Sequence, residues 1–280
     1  WACVLGGFTL DVYGITMRCI IRERPPVVTL YDTILFITSS IVLVSLLMEW
    51  LTKQRIALPV AAILGAAGMF FAGKYELEEI KSAGDTMASV VAVLDTNYYL
   101  AIHVTTIALG YAGGLLAGGL AHVWVLAKLF GFRKNDKSFY QGLTRMTYGV
   151  VCFSLLFAVF GTIMGGVWAN DSWGRFWGWD PKENGALLIC LWFLVVLHAR
   201  MGGYIREHGF MVMCILGAVV VSMSWWGVNL LSVGLHSYGF TSGALFALIT
   251  FWAVEVVFIL ISVGQRLVDG WNGPSPPIAK

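Results

Sequence analysis

The chain has 280 residues, of which 58% are hydrophobic and only 12% charged, and its mean hydropathy is +0.78. A soluble domain carries about 25% charged residues, so the composition excludes an ordinary cytosolic or secreted globular protein and points to an integral membrane protein. A net charge of +2 from 18 basic and 16 acidic residues leaves no basic stripe to hold phosphates, which argues against a nucleic-acid partner.

Crossing the hydrocarbon core takes about 20 largely apolar residues. Eight runs reach or approach that length: 1–17, 28–50, 56–73, 98–127, 143–169, 185–205, 210–231 and 243–265. The runs are continuous and do not alternate in polarity, which predicts α-helices and excludes a β-barrel. The expected fold class is therefore all-α, a polytopic membrane protein of about eight transmembrane helices in a lipid bilayer. No repeat, low-complexity tract or soluble domain interrupts residues 1–280. They read as one transmembrane domain with a disordered, proline-bearing tail at 273–280.

The spans sort the connections into two sets. One carries 11 basic and four acidic residues, the other seven basic and nine acidic. The positive-inside rule assigns the first set, with both termini, to the cytoplasmic side. The segments 74–97, 170–184 and 232–242 then lie outside. Arg18, Arg22 and Arg24 run against the rule, since they also fall outside. The five cysteines form no Cys-x-x-Cys pair, so the chain has no thioredoxin-type motif and no c-type haem attachment motif of its own. Cys152, Cys190 and Cys214 lie in apolar runs and read as small buried hydrophobes.

Tryptophan is concentrated in one outer segment. Within 168–184 stand Trp168, Trp173, Trp177 and Trp179 with Phe176, interleaved with Gly174, Arg175, Gly178, Asp180 and Lys182. Tryptophan is enriched at membrane interfaces, but an interfacial belt scatters its rings over helix ends. Several rings in one loop, with glycines that let backbone approach a flat object, suit a platform for a large planar apolar ligand. Arg175 or Lys182 is available to an attached carboxylate. Asp180 with Lys182 reads as fixing the shape of the loop.

The histidines sharpen that ligand. His103 lies near the outer end of the fourth span, and His236 lies in the uncharged outer segment 232–241. Both share a membrane face with the tryptophan loop, and two imidazoles beside a flat apolar pocket suit haem iron with bis-histidine ligation. His198 and His122 lie in the inner parts of the sixth and fourth spans, at comparable depth by helical rise. Ionisable groups inside a membrane are functional-site candidates, so the pair is a candidate for a second, inner iron site. His208, beside Arg206 and Glu207, reads as solvated.

The run Trp173-Gly-Arg-Phe-Trp-Gly-Trp-Asp-Pro-Lys-Glu183 resembles the tryptophan-rich WWD signature of the haem-handling family that includes CcsA/ResC, CcmC and CcmF. Arg24-Pro-Pro-Val-Val-Thr-Leu-Tyr-Asp-Thr33 is similar to the approach to a span in the CcsA/ResC branch, and Gly227 through His236 resembles the segment carrying that branch's second external histidine. At Glu183-Asn-Gly the chain departs from the branch's usual Glu-Thr-Trp.

The resemblance implies a cytochrome c assembly factor of the bacterial inner membrane or thylakoid. Such a factor works with a CcsB/ResB-type membrane partner to move haem b and attach it outside to an apocytochrome c bearing a reduced Cys-x-x-Cys-His motif. It implies His103 and His236 as external haem ligands and His198 as a membrane-embedded one, with His122 as the internal substitute for a ligand normally supplied by the partner. A haem delivery module without ligation activity, like CcmC, is the alternative.

Overall fold

The computed structural model describes residues 1–87, 98–231, 233–236 and 244–271. The expected tail at 273–280 lies outside the described residues. Eight long helices run α1 (Ala2–Arg22), α2 (Leu30–Thr52), α3 (Ala57–Ala83), α4 (Tyr98–Leu129), α5 (Lys137–Trp173), α6 (Pro181–Met201), α7 (Glu207–Trp225) and α8 (Ala244–Trp271), with a short 3-10 helix Gly227–Leu231 after α7. All eight are long and apolar enough to cross a membrane, and no strand occurs among the described residues. The chain is thus an all-α, multi-pass membrane protein.

Helix α4 is the hub, packing most extensively on α5 and then on α7, with α2, α3 and α8 also against it. Its glycines explain the closeness. A Cβ on Gly110 would sit 2.8 Å from the backbone nitrogen of Ala158 in α5, and one on Gly118 would sit 2.8 Å from the Cβ of Ala218 in α7. Between helices in lipid, where no hydrophobic drive remains, small residues allow the close contact that holds a bundle together. The buried hydroxyl of Ser154 adds a bond across the same seam, donating to the Gly110 carbonyl at 2.6 Å.

The helix ends follow local chemistry. Thr29 caps α2 in a capping box with Asp32, as a short hydroxyl followed three residues later by an acid should. Asp32 is 4% exposed and also holds Arg18 at 2.8 Å and Arg22 at 2.9 Å. Two of the arginines that ran against the positive-inside pattern are therefore paired with a buried acid. Glu49, 3% exposed, accepts from the amides of Arg55, Ala57 and Leu58, so one carboxylate satisfies the orphan donors at the start of α3.

Of the departures from the expected span bounds, three shape the site. α3 continues past residue 73 to Ala83, through a polar stretch that supports itself with a Glu78–Lys81 pair at 2.8 Å. α5 continues to Trp173 and ends where Gly174 takes a left-handed φ of 71°. Trp168 and Trp173 are therefore helical, and the irregular part of the expected loop shrinks to 174–180. α7 stops at Trp225 because the carbonyl of that residue turns to the Nζ of Lys182 at 2.8 Å and the Nδ2 of Asn229 at 3.1 Å.

Candidate functional site

A cavity of about 480 Å³ opens at the end of the bundle where α4, α5 and α6 meet the stretch before α2. That volume lies within the ordinary range for a small-molecule site. His103 from α4, Trp168 from α5, Phe176 and Trp177 from the loop, Lys182 from α6 and His236 all line it. Residues far apart in the chain thus converge on one space, and His103 and His236 share it.

Each side chain is positioned by something nearby. The Nδ1 of His103 donates to the Gly161 carbonyl of α5 at 2.7 Å, which leaves Nε2 as the nitrogen for a metal. The ring lies against Gly165, where an added Cβ would stand 2.6 Å from its Cε1. Trp168 stacks nearly parallel to His103, with centroids 6.3 Å apart and planes 8° apart, and is 1% exposed. The Phe176 ring rests on the neighbouring Gly166, where a Cβ would meet three of its atoms at 2.5–2.7 Å.

The Trp-Asp-Pro-Lys-Glu run is the start of α6. Asp180 is its N-cap, Pro181 takes the first turn and Glu183 completes a capping box. The Asp180 Oδ1 accepts from the amides of Lys182 at 2.9 Å and Glu183 at 3.0 Å, while the Glu183 carboxylate accepts from the amides of Gly178 and Asp180. The other Asp180 oxygen, Oδ2, accepts from the Nδ1 of His236 at 2.5 Å. Burial pushes the Asp180 carboxyl up, but these hydrogen bonds outweigh it and hold the group below the ordinary carboxylate range. Just before the cap, Trp179 adopts a left-handed φ of 59°, unusual for a bulky residue. It is 69% exposed and stands edge-on to Trp177 with centroids 6.0 Å apart.

His236 is caged. Trp173 lies edge-on to it at 5.0 Å and Trp168 tilts against it at 6.0 Å. Asp180, Glu183 and His236 bring possible ligand atoms within 4.8 Å of one another. Capping bonds and the imidazole already engage these carboxylates, so the cluster acts as a clamp on His236 and not as a cage for a separate ion.

The two cationic candidates differ. Lys182 lines the cavity, donating to the Trp225 carbonyl at 2.8 Å and the Asn229 Oδ1 at 3.4 Å. The Arg175 guanidinium stands 3.7 Å from Glu183 and 5.9 Å from the Trp173 ring centre, against Gly178, where a Cβ would overlap it. Arg175 thus braces the loop.

A family described as cytochrome c assembly protein matches residues 27–236, from the cavity wall before α2 to His236. The chain belongs to the cytochrome c assembly protein family. The chain is 31% identical to the cytochrome c biogenesis protein CcsA of Atropa belladonna, with 78% of each chain covered. It is 29% identical to the CcsA protein of Parasynechococcus marenigrum, with 78% of this chain and 79% of that one covered. The CcsA protein of Spinacia oleracea is 28% identical, covering 79% and 80%.

In this member of the family, His122 and His198 lie apart from the cavity. The Nδ1 of His122 donates to the Gly118 carbonyl at 2.7 Å, and its Nε2 stands 3.0 Å from the Glu255 carboxylate on α8. His198 donates to the Leu194 carbonyl at 2.7 Å and is exposed on α6. No hydrogen bond or ring contact joins the two among the described residues. His208 bonds to Ser262 of α8.

Sequence reasoning missed part of the wall. Thr33, Tyr75 and Glu79 also line the cavity, and Thr33 accepts from the Trp225 indole at 2.9 Å. The Thr29–Asp32 capping signal marks where the α2 part of this wall begins. Nothing in the local pattern of α3 marks Tyr75 or Glu79.

Proposed function

We propose that the chain holds haem in this outer cavity as a substrate for cytochrome c maturation, with His103 and His236 as the iron ligands. The observation that carries the reading is the convergence of both imidazoles on one aromatic cavity. Each ring has its Nδ1 held by an oxygen, so Nε2 is the ligating nitrogen in both. The buried indole nitrogens of Trp168 and Trp177 have no hydrogen-bond partner among the described residues, and a buried donor left without one is costly. A porphyrin with carboxylate side chains supplies flat apolar area and acceptors together, so the residues fit it. Lys182 is the cation within reach of a propionate, and haem b is the form with vinyl groups available for attachment.

In this reading the chain's work is orientation. Trp168 and Trp177 with Phe176 form the platform, braced by Arg175 against Trp173 and Glu183. Gly174 and Gly178 shape the loop, and Trp179 presents an exposed ring at its edge. A vinyl edge turned outward meets the thiols of an apocytochrome c Cys-x-x-Cys-His motif. Each S–H adds across a vinyl C=C, so that sulfur takes one carbon and the proton the other, forming a thioether. Bis-histidine ligation tunes the iron meanwhile, and the acceptor's histidine displaces one ligand at release.

A CcsB/ResB-type partner completes the assembly. The exposed His198 on α6 supports it, because an imidazole facing outward in a membrane span calls for a partner surface. His122 is engaged by Glu255, which favours a role in holding α8 over a role as the internal iron ligand. On this reading the cavity faces the periplasm or lumen and both termini the cytoplasm or stroma.

The test is coexpression with a CcsB-type partner and a cytochrome c reporter in cells lacking their own assembly system. His103→Ala or His236→Ala should abolish covalent haem formation, and added imidazole should partly restore it. Trp177→Ala should lower the haem that copurifies. Unchanged cytochrome in both histidine variants would refute the ligand assignment. Bound haem that never becomes covalent, even with the partner, would instead assign a CcmC-like delivery role.

A further inference from the structure

Asp180 occupies a junction that capping alone does not require. An N-cap needs one oxygen toward the first-turn amides. Asp180 spends Oδ1 on the amides of Lys182 and Glu183 and turns Oδ2 to the Nδ1 of His236 at 2.5 Å. The carboxylate is an acceptor only, so Nδ1 must carry the proton. The approach is built in: Gly234 has a φ of +88°, and a Cβ there would stand 2.7 Å from the Asp180 Cβ. Only a glycine lets the turn carrying His236 lie so close to the cap.

We infer that Asp180 is a positioning residue for His236, fixing its tautomer and orientation so that Nε2 faces the iron, and raising its strength as a ligand. The inference rests on the reading of His236 as a haem ligand. A carboxylate behind a metal-bound imidazole orients the ring and increases its basicity. Here that carboxylate is also the helix cap, so the start of α6 and the iron ligand share one anchor. The tryptophan loop therefore acts on the iron as well as on the porphyrin face.

The oxygen count makes the idea testable. Asn caps helices as well as Asp does, but it has one oxygen. If the cap keeps that oxygen, the amide group faces His236 Nδ1 and presents a donor to a donor. The imidazole then favours its proton on Nε2, the nitrogen meant for iron, much as an Asp-to-Asn change reverses the tautomer in a serine protease triad. In full-length protein copurified with its partner, Asp180→Asn should bind haem about 10–100-fold more weakly. It should also raise the midpoint potential, because a weaker donor stabilises ferric iron less. Asp180→Ser, which also caps, should do the same. Asp136→Ala, which removes the cap of α5 at the end of that helix far from His236, should leave the potential unchanged.

Wild-type affinity and midpoint potential in Asp180→Asn and Asp180→Ser, alongside loss of haem in His236→Ala, would overturn the inference and leave the ligand reading standing. Retention of the wild-type haem spectrum by His236→Ala would overturn the ligand reading itself. A lowered affinity in Asp180→Asn with an unchanged potential would assign Asp180 to capping alone.

Discussion

Gly165→Ala isolates the placement of His103 from the stability of the bundle. The added Cβ would stand 2.6 Å from the His103 Cε1 and 2.7 Å from Nδ1, whereas ordinary contact begins at 3.4 Å. The ring must therefore retreat by about 0.8 Å, and its 2.7 Å bond to the Gly161 carbonyl lengthens toward roughly 3.5 Å, the limit of a hydrogen bond. Overpacking of this kind costs about 1–3 kcal/mol. If the free protein relieves it by turning the ring aside, the cost returns when the ring must face iron, and haem affinity falls roughly five- to 150-fold. Ala is about 1 kcal/mol better than Gly inside a helix, so α5 itself gains. The assay is an optical haem titration of the purified chain beside its thermal unfolding in detergent. Weaker binding with an unchanged or raised Tm is expected. Wild-type affinity, in a protein whose His103→Ala variant has lost haem, would refute the reasoning that Gly165 sets the ring's place.

Other substitutions test other parts. Trp168→Ala removes an indole that is 1% exposed and should cost about 3–5 kcal/mol, read as a lower Tm and faster loss of bound haem. Glu255→Leu removes the partner 3.0 Å from His122 and should cost about 1–3 kcal/mol. Its Tm should fall while haem in the cavity between His103 and His236 is retained, and joint loss of both would count against separate sites. His198→Ala should leave the isolated chain's haem binding and Tm unchanged, because the ring is exposed. It should lower cytochrome yield only when the partner is present. A fall in the isolated chain's haem would contradict that division.

Much of the frame was legible in the order of residues. Each span announces itself by a continuous apolar run, because lipid imposes its length requirement on each helix separately. The ends were less legible where a helix outlasts its apolar run. α5 carries Trp168 and Trp173 on its last turns because Gly174 supplies the C-cap, and α7 ends early because Lys182, 43 positions earlier, takes a carbonyl. The Asp180–Pro181–Glu183 cap could have been read from spacing alone, since Asp, Pro and Glu at those positions form a helix-start signature.

By itself, the sequence determined the all-α membrane class and the family, and it marked the tryptophan cluster and the outer histidines as candidates. Those features are local: hydropathy, composition and motif depend on neighbours in the chain. Only the tertiary structure decided that His103, Trp168, Lys182 and His236 face one cavity. It also decided that Asp180 reaches His236, that Glu255 engages His122, and that His198 faces outward. These are relations between segments distant in the chain. They depend on how the helices pack, closely where the glycines of α4 allow it, and contact of that kind leaves no mark in the periodicity of any one helix.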